Sequence, residues 1–357
     1  MIKSWGFEFF PAPHGLVDTF SADVDAPQAS AAPDPKATTE YFNFYLDLWE
    51  RAEALGYHGL FLSEHHFGGG YSPSPNLLLP VIAQRTKTLR LGVMGNVVPY
   101  HSPWRLAEEF GMLDHLTNGR LEIGTSSGIP AEFERIGMTT AEARARYDEA
   151  IQIIDAALKN GVVTHSGKYW NFENLPIVPR PQQQPEPPKW TTVISVESAR
   201  KSARRGSKIS TGFLSTEDAK KVFDAYNEEA ERAGNPAGPD CLGLRRQVIM
   251  DVGDPTTGER ADQYAKGFRN MLETFDKRTI APGRKALDQQ GTHGYALGSE
   301  EFITGSPKEI AAEIIRQCKG CGAGHFLVTF AGHQNLDELA RAWELFGTEV
   351  IPALKRA

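Results

Sequence analysis

The stretch Gly59-Leu60-Phe61-Leu62-Ser63-Glu64-His65-His66-Phe67 changes character halfway along, from an apolar run opened by glycine to a carboxylate beside two imidazoles. A short continuous apolar run of this kind predicts a strand buried on both faces, as in a parallel sheet. On its N-terminal side, residues 38–55 carry helical spacing and Gly56 ends them. On its C-terminal side, residues 76–86 predict a helix, 89–98 a strand, 104–116 a helix and 120–124 a strand. The rhythm continues with a helix over 141–158, a strand over 190–195, a helix over 197–205, a strand over 208–213 and a helix over 216–233. A strand over 243–252 and helices over 259–275 and 307–318 follow, then a strand over 325–330 and a helix over 336–354.

With residues 2–10 as the first strand, the count reaches eight. Such alternation predicts parallel strands joined by crossover helices, in the α/β class. Eight of them close most naturally into a (β/α)8 TIM barrel, and the whole chain, 1–357, reads as one such domain. A doubly wound open sheet would show a glycine fingerprint after its first strand; here that strand runs into Pro11-Ala12-Pro13-His14. Three irregular segments interrupt the pattern. Residues 11–35 and 277–298 are expected as loop insertions over the C-terminal, catalytic face, and 164–188 as a proline-rich excursion before the fifth strand.

Of the 357 residues, 40 % are hydrophobic and 23 % charged, the balance of a globular fold with a large core. A formal charge of −7 with scattered basic residues speaks against nucleic acid as a partner. No run approaches the roughly 20 apolar residues of a membrane helix. The start, Met1-Ile2-Lys3-Ser4-Trp5, lacks the apolar core of a signal peptide, so a cytoplasmic protein is expected, with no membrane partner. Cys318 and Cys321 form a C-x-x-C pair, but no second pair or clustered histidine completes a zinc or redox site, which predicts a structural role.

In a barrel the residues just past each strand carry catalysis. Adjacent Glu64, His65 and His66 offer a general base, a metal ligand or a hydrogen-bond donor to a bound cofactor. Successive strand residues face opposite ways, so one histidine reaches the site while the other packs behind it. The other strand ends offer no evident ligand set, and no metal is expected. Glu197 and Ser198 open the helix after the fifth strand, whose first-turn amides suit a phosphate, with Lys201 one turn on. A plain serine cap with a solvated lysine fits that spacing equally well. Phe10, Phe67, Tyr71, Tyr100, Trp104 and Phe330 suggest an apolar substrate cavity, or ordinary packing.

The residues at these strand ends resemble the bacterial luciferase-like family of flavin-dependent monooxygenases. The likeness rests on Ser63-Glu64-His65-His66-Phe67, on Gly92-Val93-Met94-Gly95-Asn96-Val97-Val98-Pro99, and on His101-Ser102-Pro103 leading to Arg105-Leu106-Ala107-Glu108-Glu109 and Leu113-Asp114. It continues through Asn118-Gly119-Arg120-Leu121-Glu122-Ile123-Gly124, Val196-Glu197-Ser198-Ala199 and Ile303-Thr304-Gly305-Ser306-Pro307, and so covers nearly the whole chain. That family has a (β/α)8 barrel and uses reduced FMN and O2. The resemblance implies that His65 is the catalytic histidine near the flavin's reactive edge, with Glu64 beside the isoalloxazine. It places Met94-Gly95 under the ring, where the family often has a non-proline cis peptide. Arg144, Val196, Glu197, Ser198 and Lys201 then fall where the phosphate is held. Ser126-Ser127 stands where many members have a Cys or Gly followed by an arginine that binds phosphate.

The activity so implied is an FMNH2-dependent two-component monooxygenase oxidising a small, largely apolar organic substrate with O2. No dinucleotide fingerprint is present, so a separate NAD(P)H:flavin reductase is implied as partner. An F420-dependent oxidoreductase on the same barrel, or a non-catalytic flavin-binding subunit, are the alternatives. Apolar residues at 77–79 and 107–113, together with the resemblance, suggest a homodimer.

Overall fold

The computed structural model describes residues 1–11, 34–67, 70–279, 300–333 and 335–357, leaving most of the expected insertions at 11–35 and 277–298 outside the described residues. Strands β1 (Lys3–Glu8), β2 (Gly59–Leu62), β3 (Arg90–Val97) and β4 (Leu121–Ser126) pair in sequence order, all parallel. After β5 (Val162–Ser166) and β6 (Asn171–Pro176) come β7 (Lys189–Thr192), β8 (Lys208–Thr211) and β9 (Leu242–Met250). β7 joins β4, β8 joins β7, and β9 joins β8 with Ile209 opposite Leu242. β11 (His325–Phe330) lies between β9 and β1 and closes the ring of eight parallel strands, the (β/α)8 barrel expected from the alternation.

Two features were not foreseen. β5 and β6 form an antiparallel hairpin within the proline-rich excursion. It is tied to helix α5 (Thr140–Asn160) by Glu149, whose carboxylate accepts the backbone N–H groups of Lys168, Tyr169 and Trp170. A short strand β10 (Phe302–Gly305) docks on the end of β9, beyond the point where β8 stops, with Phe302 opposite Gln247. Just before β10, Glu301 reaches in to Arg245 Nη2 at 2.6 Å and Arg246 Nη1 at 3.4 Å, and accepts the Phe213 N–H at 2.8 Å.

The barrel interior holds Trp5, Phe7, Phe61, Met94, Trp190 and Leu327. Glycine makes room for these rings: a Cβ on Gly59 would stand 2.2 Å from the Trp5 ring, and one on Gly92 2.3 Å from the Glu122 carbonyl. At the N-terminal end, Trp190 Nε1 donates to Glu122 at 2.6 Å, and Trp5 Nε1 donates to His325 Nδ1 at 2.9 Å. Burial pushes His325 down to about 3, so its ring is neutral, with the Nε2 proton on the Asp240 carbonyl.

Outside the barrel, α1 (Pro35–Ala54) starts at the Asp34 cap and buries Tyr45, Leu48, Trp49 and Ala52. The next two helices are α2 (Leu78–Arg85) and α3 (Pro103–Leu116). After them come a short α4 (Pro130–Arg135), α5, α6 (Val196–Arg204), α7 (Thr216–Ala233) and α8 (Thr257–Thr279). The last three are α9 (Pro307–Cys321), α10 (Leu336–Leu345) and α11 (Ile351–Arg356). The long C-terminal helix expected over 336–354 is divided by a wider π turn at Phe346–Val350, one residue ahead of α11, in which Pro352 has no N–H to donate. Cys318 and Cys321 are free and buried in α9, with their thiols pushed up by burial. Among the described residues, no helix is long and apolar enough to cross a membrane.

Candidate active site

The chain leaves β2 through Ser63 and turns at Glu64, whose side chain is almost fully buried. Its Oε1 accepts from His66 Nε2 at 2.9 Å and from His101 Nε2 at 3.0 Å, while Oε2 accepts the Val97 N–H at 2.8 Å. Burial alone would raise this carboxyl, but the bonds from His101 and His66 outweigh it and hold Glu64 below its usual range. Reciprocally, the bond to Glu64 raises His66. Glu64 thereby ties the end of β2 to the end of β3 and fixes two imidazoles.

His65 faces the other way, as the strand alternation requires. Its ring lies 5.9 Å from that of Phe9, which continues β1 inward of the barrel wall, and its Nδ1 lies 3.1 Å from Glu132 Oε1. The same oxygen accepts the His66 N–H at 3.2 Å, and Tyr100 donates to Oε2 at 3.4 Å. A carboxylate on Nδ1 selects the tautomer in which Nε2 carries the lone pair. Sequence reasoning missed Glu132. It sits in the first turn of α4, a helix whose only advance signal is Pro130 at its first position, nine residues before a second start at Thr139.

At the end of β3 the Met94-Gly95 peptide is cis, at the place the resemblance indicated. Gly95 lies flat against β4: a Cβ there would stand 2.6 Å from the Thr125 carbonyl carbon. Past β4, Ser126 Oγ accepts the Gly128 N–H at 3.0 Å, and Ser127 is half-buried beside it. β4 and β7 are neighbours, so α6 begins next to this corner. Its cap is Ser195 rather than Ser198: Ser195 Oγ accepts the Ser198 N–H at 3.3 Å and donates to Ser198 Oγ at 3.0 Å. The first-turn amides at Val196 and Glu197 lie ahead of that bond. Glu197 reaches back to Lys201 at 3.6 Å on the helix surface. Tyr147 of α5 meets Thr125 Oγ1 at 3.1 Å, which brings the first turns of α5, and Arg144 one turn before Tyr147, to the same corner. The β4 end, the α6 start and the α5 start thus adjoin, while Glu64 and His65 occupy the β2 rim.

Of the aromatics singled out from sequence, Tyr100 lies 5.0 Å from His66, edge to face. Phe10 and Tyr71 pack instead with Tyr41, Phe42 and Tyr45 of α1, and Phe330 packs on Trp343 and Phe346. The rings beside His65 are Phe9 and, 5.2 Å from it, Phe7.

Glu8, the last residue of β1, turns outward against α1 and accepts the Phe10 N–H at 3.0 Å. Burial pushes it up to about 7, the Phe10 bond offsetting only part. A folded value above the ordinary 4.5 means that the fold holds the extra proton. This contribution is fully present below pH 4.5 and is lost as pH rises through about 7. Glu8→Gln is expected to flatten that slope, worth on the order of 3 kcal/mol across the window. Urea unfolding at several pH values reads it, and a wild-type midpoint that does not fall across the window sinks the assignment.

The described residues thus form a closed parallel barrel with a carboxylate–histidine rim at β2 and a helix-start corner at β4 and β7. The chain belongs to the luciferase-like monooxygenases, whose family model matches residues 21–323. It is 30 % identical over 224 residues to the oxygenase component of a flavin-dependent trigonelline monooxygenase from Acinetobacter baylyi, covering 61 % of this chain and 62 % of that protein. Two solved structures share the fold. The oxygenating constituent of 3,6-diketocamphane monooxygenase from Pseudomonas putida, in complex with FMN, superposes with a TM-score of 0.72 at 20 % identity, covering 99 % of this chain and 98 % of that one. An F420-dependent secondary alcohol dehydrogenase superposes at 0.71 with 15 % identity, covering 99 % of both chains.

Proposed function

We propose that the chain is a single barrel domain acting as the FMNH2-dependent oxygenase of a two-component monooxygenase. It works in the cytoplasm on a small, largely apolar organic substrate and O2, and is supplied by a separate NAD(P)H:flavin reductase. The observation that carries the reading is His65, held by Glu132 on the β2 rim, beside the neighbouring strand β3 that carries Met94-Gly95. Reduced FMN, when bound, supplies the two electrons that activate O2. Its ring is placed against Met94-Gly95 on β3, where Gly95 packs directly on the β4 backbone at Thr125 and Ser126. Its phosphate fits the corner of Ser126, Ser127, Arg144 and the Val196, Glu197 and Ser198 turn, with Lys201 adding charge.

In this reading His65 takes up a proton at the Nε2 lone pair and returns it to the reacting oxygen, because Glu132 occupies Nδ1. Glu64 acts beside it by fixing His66, His101 and the β3 end. Phe7 and Phe9 keep water from the space inward of His65. Glu132→Gln keeps the shape and removes the charge. It is expected to lower turnover about tenfold while reduced FMN binds as in wild type; turnover equal to wild type counts against the assignment.

The test is anaerobic titration with reduced FMN and, separately, reduced F420, followed by admission of air. Binding of reduced FMN with oxygen consumption that depends on it supports the proposal. Binding of F420 alone, with turnover indifferent to oxygen, replaces it by the hydride-transfer alternative.

A homodimer through α2 and α3 completes the reading. Leu77, Val81, Met112 and Leu116 there expose 71, 42, 53 and 45 % of their surface, a set of large apolar side chains that a lone barrel leaves in water. Met112→Glu is expected to move the protein from dimer to monomer in sedimentation velocity. A wild type that sediments as a monomer removes the interface.

A further inference from the structure

Arg245 and Arg246 share one carboxylate, Glu301, inside the barrel wall. The neighbouring Glu300 is taken by Arg316 and the Thr216 N–H. Two buried guanidiniums against one carboxylate leave an excess positive charge, which a low-dielectric site does not hold cheaply without an anion. Arg246 spends its donors on Gln317 Oε1 and on the carbonyls of Arg245 and Leu214. Arg245 does not: its Nη2 meets Glu301, but Nη1 is buried and makes no hydrogen bond among the described residues.

Two further polar atoms with no hydrogen-bond partner among the described residues lie on the same face. Gln247 Nε2 and Thr329 Oγ1 are both buried and unbonded, Gln247 Oε1 being held by the Tyr264 hydroxyl at 3.0 Å. Their direction follows from the pleat. Leu327 belongs to the interior cluster with Phe7 and Trp190, so Arg245, in register with it, and Gln247 and Thr329, in register with one another two positions on, face the barrel interior. The guanidinium occupies the room left by Gly212, where a Cβ would lie 2.6 Å from Arg245 Nε. It lies 4.5 Å from the Phe213 ring centroid and 6.0 Å from that of Phe7. Phe7 touches Phe9, and Phe9 touches His65.

Resting on the oxygenase reading above, we propose that the substrate is an organic acid. Its carboxylate is received by Arg245 Nη1, Gln247 Nε2 and Thr329 Oγ1, and its apolar body lies along Phe7 and Phe9 toward His65. Three convergent donors with one surplus charge match the two oxygens of a carboxylate, and a neutral amide or alcohol leaves the charge unanswered. Arg245 is thereby the residue that separates acids from their neutral analogues.

The flavin-free protein is titrated with benzoate, nicotinate and hexanoate, and with the primary amide of each, by calorimetry and by thermal shift. At least one acid is expected to bind, with its amide tenfold or more weaker. Arg245→Met is expected to weaken that acid roughly a hundredfold, and Gln247→Leu and Thr329→Val about tenfold each. The last two leave the Glu301 carboxylate and its two arginines in place, so they carry the test should Arg245→Met fail to fold. A wild type that binds none of the three acids, acid and amide binding alike, or variants that bind as wild type overturn the assignment. Reduced FMN is titrated separately on the same samples. Loss of FMN binding marks failure of the flavin reading, whereas FMN binding without acid binding marks failure of this one.

Discussion

His65→Ala is expected to lower oxygen-dependent turnover with supplied reduced FMN by about two to four orders of magnitude, the range of a positioned general acid or base. The fold survives the change. The His65 side chain is half-buried at the rim, and Glu132 keeps two of its three donors, the His66 N–H and the Tyr100 hydroxyl, so the stability cost is on the order of 1 kcal/mol. Reduced FMN is expected to bind the variant nearly as well as wild type, because the phosphate corner lies at β4, α5 and α6. Stopped-flow turnover together with a flavin titration separates the two effects. Unchanged turnover removes His65 from the chemistry, and loss of flavin binding turns it into a cofactor ligand.

The second large effect is on stability. Glu301→Leu takes from the buried Arg245 and Arg246 the carboxylate that they share and strips the Phe213 N–H of its acceptor. Removing one partner of a buried ion pair costs about 3–5 kcal/mol. The double variant Glu301→Leu with Arg245→Met is expected to lose less than the sum of the single changes, since one of the stranded charges leaves with its partner. Equilibrium urea unfolding of the four proteins provides the cycle, and strictly additive losses refute the shared-charge account.

The barrel was legible because its eight strands and crossover helices each bury a face, and burial writes periodicity into the chain. Gly59 to Leu62 reads as apolar because both faces of β2 are covered, and Gly56, Gly161 and Gly234, all at positive φ, mark the ends of their helices. The site was legible where one strand end concentrates it, as at Glu64 and His65. It was not legible where the partner arrives from elsewhere. Glu132 lies 67 positions from His65 and Glu301 lies 56 from Arg245, and no local pattern ties such pairs together. Arg245-Arg246 sits inside the run 242–250, every residue of which is buried; read from sequence it is a strand with two awkward charges, and only the packing of β10 supplies their answer. Ser195 was passed over as the α6 cap for Ser198 because both serines fit the spacing, and the choice depends on where the strand's extended backbone stops.

The way β10 docks bears on how this barrel can be re-engineered. Glu301 sets its carboxylate into the wall one residue before β10 begins, so this strand is anchored at its start by a charge outside it. Exchanging residues 280–299 for the corresponding stretch of another family member is therefore a matter of splice position. A junction placed before Glu300 hands the graft an intact anchor, whereas one placed after Phe302 makes the recipient rely on the donor's charge at that point.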